Sequence, residues 1–127
     1  MKVGILGNEG SWYGADLARA ADERGYACVR VDFPLVAASC GESPSSERNL
    51  VSSAEHDLSG FDAIIVRTMP PGSLEQVVFR MDALACLANA GVEVVNSPRS
   101  MECAVDKFLT TAKLEAVGLS VPATVTC

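Results

Sequence analysis

The chain has 127 residues, of which 49% are hydrophobic and 20% charged. That balance suits one globular domain with an ordinary core and excludes a disordered polypeptide. The formal net charge is -6 with no basic cluster, which argues against nonspecific nucleic-acid binding and against anionic membrane surfaces.

Met1 leads directly into the apolar run Val3-Gly4-Ile5-Leu6. Neither the layout of a signal peptide nor an apolar run of membrane-spanning length is present, so a cytoplasmic location is expected. Five cysteines, Cys28, Cys40, Cys86, Cys103 and Cys127, are scattered and accompanied by one histidine, His56. Without a Cys-x-x-Cys pair, they are expected to be reduced thiols used as small apolar residues. A zinc site or disulfide framework is not expected.

Lys2 to Leu6 predicts a buried parallel strand ending at Gly7. The glycine-rich turn Gly7-Asn8-Glu9-Gly10-Ser11-Trp12-Tyr13-Gly14 follows, then a helix over 15–24 closed by Gly25. Tyr26 to Val31 predicts a second strand ending at Asp32. Residues 33–60 are the least regular part: Phe33 to Val36 could hold a short strand, and 39–48 is rich in Ser, Gly, Pro and Glu. That stretch is expected to be an exposed loop, with a lid over a site as the alternative.

Phe61 to Arg67 predicts the third strand. Met69-Pro70-Pro71-Gly72 turns the chain, and Ser73 caps a helix whose stripe is Leu74, Val77, Val78, Met81, Leu84, Ala85 and Ala88. This helix could serve an oligomer interface as well as the core. Gly91 ends it, and Val92 to Val95 is the fourth strand, ending at Asn96. Ser97 then caps a helix with Pro98 at its first position, which breaks near Asp106 and resumes to Gly118. Leu119 to Thr126 is expected to be a short edge strand containing Pro122.

This alternation predicts an α/β fold: a three-layer, mostly parallel, Rossmann-like sheet of four to five strands. Ligands collect beyond the carboxyl ends of such strands, where Gly7 to Ser11, Asp32, Arg67 with Thr68, and Asn96 lie. Gly10 and Ser11 open a helix whose first N–H groups suit a carboxylate or phosphate, although a plain tight turn explains them equally well. Trp12 and Tyr13 are expected to pack over the sheet edge rather than stack on a ligand. Arg67, directly after Ile64-Ile65-Val66, is expected to be a buried guanidinium needing an anion. That anion is a substrate group, or else Glu9, Asp32 or Glu75. Arg80 is expected on an exposed helix flank. Arg99 stands at a helix start, where a cation is disfavoured, and this hints at a functional role. Asp32 sits at a spacing found for ribose-binding acids, but Gly7, Gly10 and Gly14 miss the Gly-x-Gly-x-x-Gly pattern. A phospho-acceptor domain is set aside, because Arg67 stands where an aspartate would have to end the third strand.

The string Asn96-Ser97-Pro98, Asp106-Lys107, Leu114-Glu115-Ala116-Val117-Gly118-Leu119 and Val121-Pro122-Ala123-Thr124 resembles the passage from the first domain of ATP-grasp ligases into their nucleotide-binding part. With Val66-Arg67-Thr68-Met69 and 73–81, it is most similar to the RimK-like, glutamate-adding branch, and within it to ligases acting on tetrahydromethanopterin-type coenzymes. The resemblance implies a pre-ATP-grasp, substrate-side domain over 1–105 and, over 106–127, the start of a connection to an ATP-grasp domain. It implies ATP and magnesium as cofactors, both held largely by later domains. Glutamate and a carboxylate acceptor would be the substrates. Lys107 would reach the nucleotide phosphates, with Gly10, Ser11, Arg67, Asn96 and Arg99 toward the substrate. Such a piece alone is expected to be inactive. A stand-alone dinucleotide-binding module and a noncatalytic interaction domain remain open as alternatives.

Overall fold

The computed structural model describes residues 1–41 and 51–127. Most of the predicted loop over 39–48 therefore lies outside the described residues. Two compact units are present, Met1–Asn96 and Ser97–Cys127.

The first unit is built on four parallel strands: β1 (Lys2–Leu6), β2 (Ala27–Val31), β6 (Ala63–Val66) and β7 (Glu93–Val95), in the order β2-β1-β6-β7. The apolar runs of the central β1 and β6 are largely buried, whereas the edge strands β2 and β7 carry Arg30 and Glu93 and are more exposed. Val3 pairs with Cys28 on one side and Ala63 on the other, and Ile65 pairs with Val95. Gly4 is a packing requirement: a Cβ there would sit 2.6 Å from the Ile64 methyl and 3.2 Å from the Phe61 ring.

Helix α1 (Trp12–Asp22) joins β1 to β2 and ends before Gly25, whose φ of +70° is one that glycine adopts without strain. Helix α2 (Leu74–Asn89) joins β6 to β7. It begins in a capping box: Ser73 Oγ accepts from the Gln76 N–H, and Gln76 Oε1 accepts from the Ser73 N–H.

The buried face of α2 differs from the expected stripe. Arg80, Ala83, Leu84 and Leu87 are buried, whereas Leu74 is 76% exposed. Apolar side chains surround this helix, so periodicity alone leaves its rotation open. Burial of Arg80, expected outside, fixes it.

Residues 33–60 are more regular than expected. A 3-10 turn at Phe33–Leu35 replaces the predicted strand start, and β3 (Val36–Ala38), β4 (Val51–Ser53) and β5 (His56–Asp57) form a separate antiparallel sheet. These strands are too short and too serine-rich to show alternation. Burial of Val51, Ser53, Leu58 and Phe61 anchors the segment, and Ser53 Oγ donates to the Asp32 carbonyl at 2.9 Å.

The second unit holds α3 (Pro98–Val105) and α4 (Lys107–Ala116). Ser97 Oγ accepts from the Ser100 N–H at 3.2 Å, and Asp106 Oδ1 accepts from the Leu109 N–H at 2.9 Å. The break at Asp106 is therefore a second N-cap. Gly118, at φ +83°, follows the helix end. The strand expected over Leu119–Thr126 does not form: among the described residues no strand pairs with it, and Pro122 has no N–H to offer a ladder. The segment runs beside α4, forming a groove with Phe108, Thr111 and Val121 in its walls.

Candidate functional site

From β1 the chain passes to β2 on one side of the sheet and later to β6 on the other, so the direction of strand addition reverses at β1. Ligands bind at such switch points, outside the carboxyl ends of the strands. A cleft of about 250 Å³ opens there, lined by Gly7, Asn8, Gly10, Ser11, Arg30 and Arg67 among others. A second hollow of about 180 Å³ lies beyond Gly7 and Asn8, walled by Glu9, Asp32, Thr68 and Pro70.

The turn residues face the first cleft for local reasons. Gly10 has a φ of +67°, with open space where a Cβ would point. Ser11 is the N-cap of α1 by backbone conformation, yet its hydroxyl makes no capping bond. The first N–H groups of a helix lack intrahelical partners, and here they sit beside that open hydroxyl.

Arg67 follows β6 directly, and its N–H donates to the Leu6 carbonyl at 2.8 Å, fastening it beside the β1 turn. It is exposed rather than buried, because the strand ends one residue earlier. Its guanidinium carbon lies 4.1 Å from the centre of the Tyr13 ring. None of the expected acids, Glu9, Asp32 or Glu75, pairs with it. Among the described residues its side chain has neither hydrogen bond nor ion pair.

The other cleft cation, Arg30, is already matched: it pairs with both carboxylate oxygens of Asp32, and this contact raises the arginine's pKa. Asp32 is thereby engaged, which weakens its candidacy as a ribose acid. Asn96 ends β7 and donates from Nδ2 to the Val66 carbonyl at 3.4 Å, bridging two strand ends.

The aromatics differ from expectation. Trp12 is 71% and Tyr13 52% exposed. They meet edge to face at 5.1 Å instead of packing on the sheet.

Arg80 is the residue that sequence reasoning misplaced most. It is 7% exposed, and its Nη1 donates to the Pro70 carbonyl at 2.9 Å. It holds the turn that walls the second hollow. The Met69-Pro70-Pro71-Gly72 turn, whose carbonyls face inward, was the available signal.

Arg99 and Lys107 belong to the second unit, described by itself. Arg99 is exposed in the first turn of α3. Lys107 is exposed at the start of α4, and its Nζ donates to the Ala104 carbonyl at 2.5 Å. The structure thus gathers Gly10, Ser11 and Arg67 at one cleft, with Asn96 at a nearby strand end.

Among the described residues no group of three His, Cys, Asp or Glu side chains could hold a metal ion. No helix among them is long and apolar enough to cross a membrane.

The four-strand parallel sheet with its helices fits the N-terminal domain of ATP-grasp ligases, which the structural matches supply. PsnB, an ATP-grasp ligase solved with a precursor peptide and AMPPNP, superposes over 95% of this chain and 45% of its own, with a TM-score of 0.65 and 18% identity. The macrocyclase MdnC of Microcystis aeruginosa MRC, solved with its precursor peptide, superposes over the whole chain and 46% of its own, with a TM-score of 0.60 and 17% identity. PsnB has also been solved with Mg and ADP.

At the level of sequence, the chain is 35% identical over 125 residues to the tetrahydromethanopterin:alpha-L-glutamate ligase of Methanosarcina acetivorans. The match covers 98% of this chain and 39% of that protein, so the chain spans well under half of its relative's length. No family model matches the sequence. By fold the chain matches ATP-grasp ligases, and by sequence it is similar over 98% of its length to a part of one glutamate ligase.

Proposed function

We propose that the chain is the substrate-side, pre-ATP-grasp part of a RimK-like ligase that joins glutamate to a carboxylate-bearing acceptor. The acceptor is a coenzyme, a peptide or a protein chain end. Residues 1–105 form the substrate-side domain, and 106–127 begin the connection to a nucleotide-binding part. The observation that carries this reading is the 35% identity to a glutamate ligase across nearly the whole chain. Arg67, a cleft cation with no anionic partner among the described residues, supports it.

In this reading the γ-phosphoryl group of ATP moves to an acceptor carboxylate oxygen and ADP leaves. The amine of glutamate then attacks the acyl carbon, phosphate departs, and the amine loses its proton. Such chemistry rests on positioning and on neutralising phosphate charge. Among the described residues no group of three His, Cys, Asp or Glu side chains could hold magnesium, so its ligands would come from the later domains.

Arg67 and the N–H groups near Gly10 and Ser11 would hold an acidic group of the substrate, the arginine through a bidentate contact. Asn96 would offer its amide at the next strand end, and Arg99 a second cation. Lys107 would exchange its Ala104 carbonyl partner for a nucleotide phosphate. An exposed neutral acceptor gives up less than a charge-assisted bond returns.

The dinucleotide-binding alternative would ask a ribose to share an Asp32 carboxylate already engaged by Arg30. The test of the main reading is ATP-dependent incorporation of labelled glutamate by the complete gene product across coenzyme, peptide and protein acceptors. Incorporation into one of them is expected. Nicotinamide or flavin binding without incorporation would replace it with the dinucleotide reading.

A further inference from the structure

We propose that Tyr13 is a positioning residue for the substrate anion: its ring face holds the Arg67 guanidinium at the cleft mouth with the N–H donors left for a carboxylate or phosphate. This rests on reading Arg67 as the cation that meets the substrate. The guanidinium carbon stands 4.1 Å from the ring centre, within the range of cation–π attraction. A π face attracts a cation through its quadrupole and supplies no oxygen acceptor. It therefore fixes the side chain without consuming the donors that bidentate recognition needs.

Two further observations separate this from incidental surface contact. Arg30, the other cation of the cleft, already has its charge matched by Asp32, whereas Arg67 has no anionic partner among the described residues. Tyr13 is also not a core ring: it is 52% exposed, and its neighbour Trp12 braces it edge-on at 5.1 Å. A long arginine side chain normally loses much rotamer freedom when it binds. Holding it beforehand lowers that cost, and this is the gain Tyr13 would supply.

The experiment is calorimetric titration of the complete gene product with glutarate and, separately, inorganic phosphate. The variants are Arg67→Ala, Tyr13→Phe, Tyr13→Trp and Tyr13→Leu. Arg67→Ala is expected to weaken binding of the preferred anion at least about tenfold. Tyr13→Phe and Tyr13→Trp keep a ring and should stay within about twofold of the parent. Tyr13→Leu should weaken binding about tenfold with an unchanged thermal midpoint. Loss of binding in Arg67→Ala with full binding in Tyr13→Leu overturns the role of Tyr13 alone. Equal weakening by Tyr13→Phe and Tyr13→Leu does the same, since the hydroxyl would then be responsible. Parent-like binding by Arg67→Ala, or no binding of either anion by the parent, overturns the cleft reading and the Tyr13 role together.

Discussion

Arg80, buried on the inner face of α2, donates from Nη1 to the carbonyl of Pro70 at 2.9 Å and also approaches the Pro71 carbonyl at 3.4 Å. A helix arginine thus does the work of a loop clamp. The guanidinium gives these half-buried turn carbonyls a donor. Gly72 makes room for this: a Cβ there would lie 3.0 Å from Nη1 and 2.6 Å from Gln76 Oε1.

Replacing Arg80 with Ala should therefore destabilise the protein by about 1.5–3 kcal/mol, the range for a hydrogen bond made by a charged donor. Arg80→Lys should recover part of that, since both contacts come from the single Nη1 and an ammonium also carries several donors. Urea unfolding of the three proteins measures both. A loss below about 0.5 kcal/mol for Arg80→Ala would mean the clamp is ornamental.

The start of α2 is independently testable. Ser73→Ala removes one half of the capping box and should cost about 1 kcal/mol. The same serine, followed by the residue's own backbone N–H, holds the exposed Glu75 carboxylate below its usual pKa. A depressed carboxylate contributes stability above the ordinary carboxylate pKa, and that contribution disappears as pH falls through the lowered value. The gap between parent and Ser73→Ala should accordingly narrow in acid, as read from unfolding midpoints at a series of pH values.

These two cases show how far the sequence carried. Capping and stop signals were legible because they are local: Ser73, Ser97, Asp106 and the positive-φ glycines Gly25, Gly91 and Gly118 act on their nearest neighbours. The parallel sheet and the candidate residues beyond its strand ends followed from the alternation of elements, while the strand order did not. The phase of α2 did not, since apolar residues occur on all its sides and the deciding contact joins residues 70 and 80. The β3–β5 sheet escaped because three-residue strands carry no period. For the site, Arg67 was found through its place after an apolar strand, but its exposure and its contact with Tyr13 were not. That contact depends on the distance between the first turn of α1 and the end of β6, which no spacing along the chain encodes.

Cys28 offers a probe of the cleft it lines. Burial pushes its thiol pKa up, so the neutral form is favoured in the folded protein. For a raised acid, the stability linked to the proton is intact below the ordinary thiol pKa and lost as pH climbs through the raised one. Iodoacetamide labelling followed by mass spectrometry at mildly alkaline pH should modify Cys28 about tenfold more slowly than the exposed Cys40, Cys86 and Cys127. A bound anion at the cleft should slow Cys28 further and leave the others unchanged.

If Lys107 meets a nucleotide phosphate, glutamate-dependent ADP release by the complete gene product depends on it. Release is expected in the parent only with both glutamate and an acceptor present, and should fall at least about tenfold in Lys107→Ala, as for losing a cation on phosphate. Release that is absent in the parent, or equal in both proteins, would contradict that role.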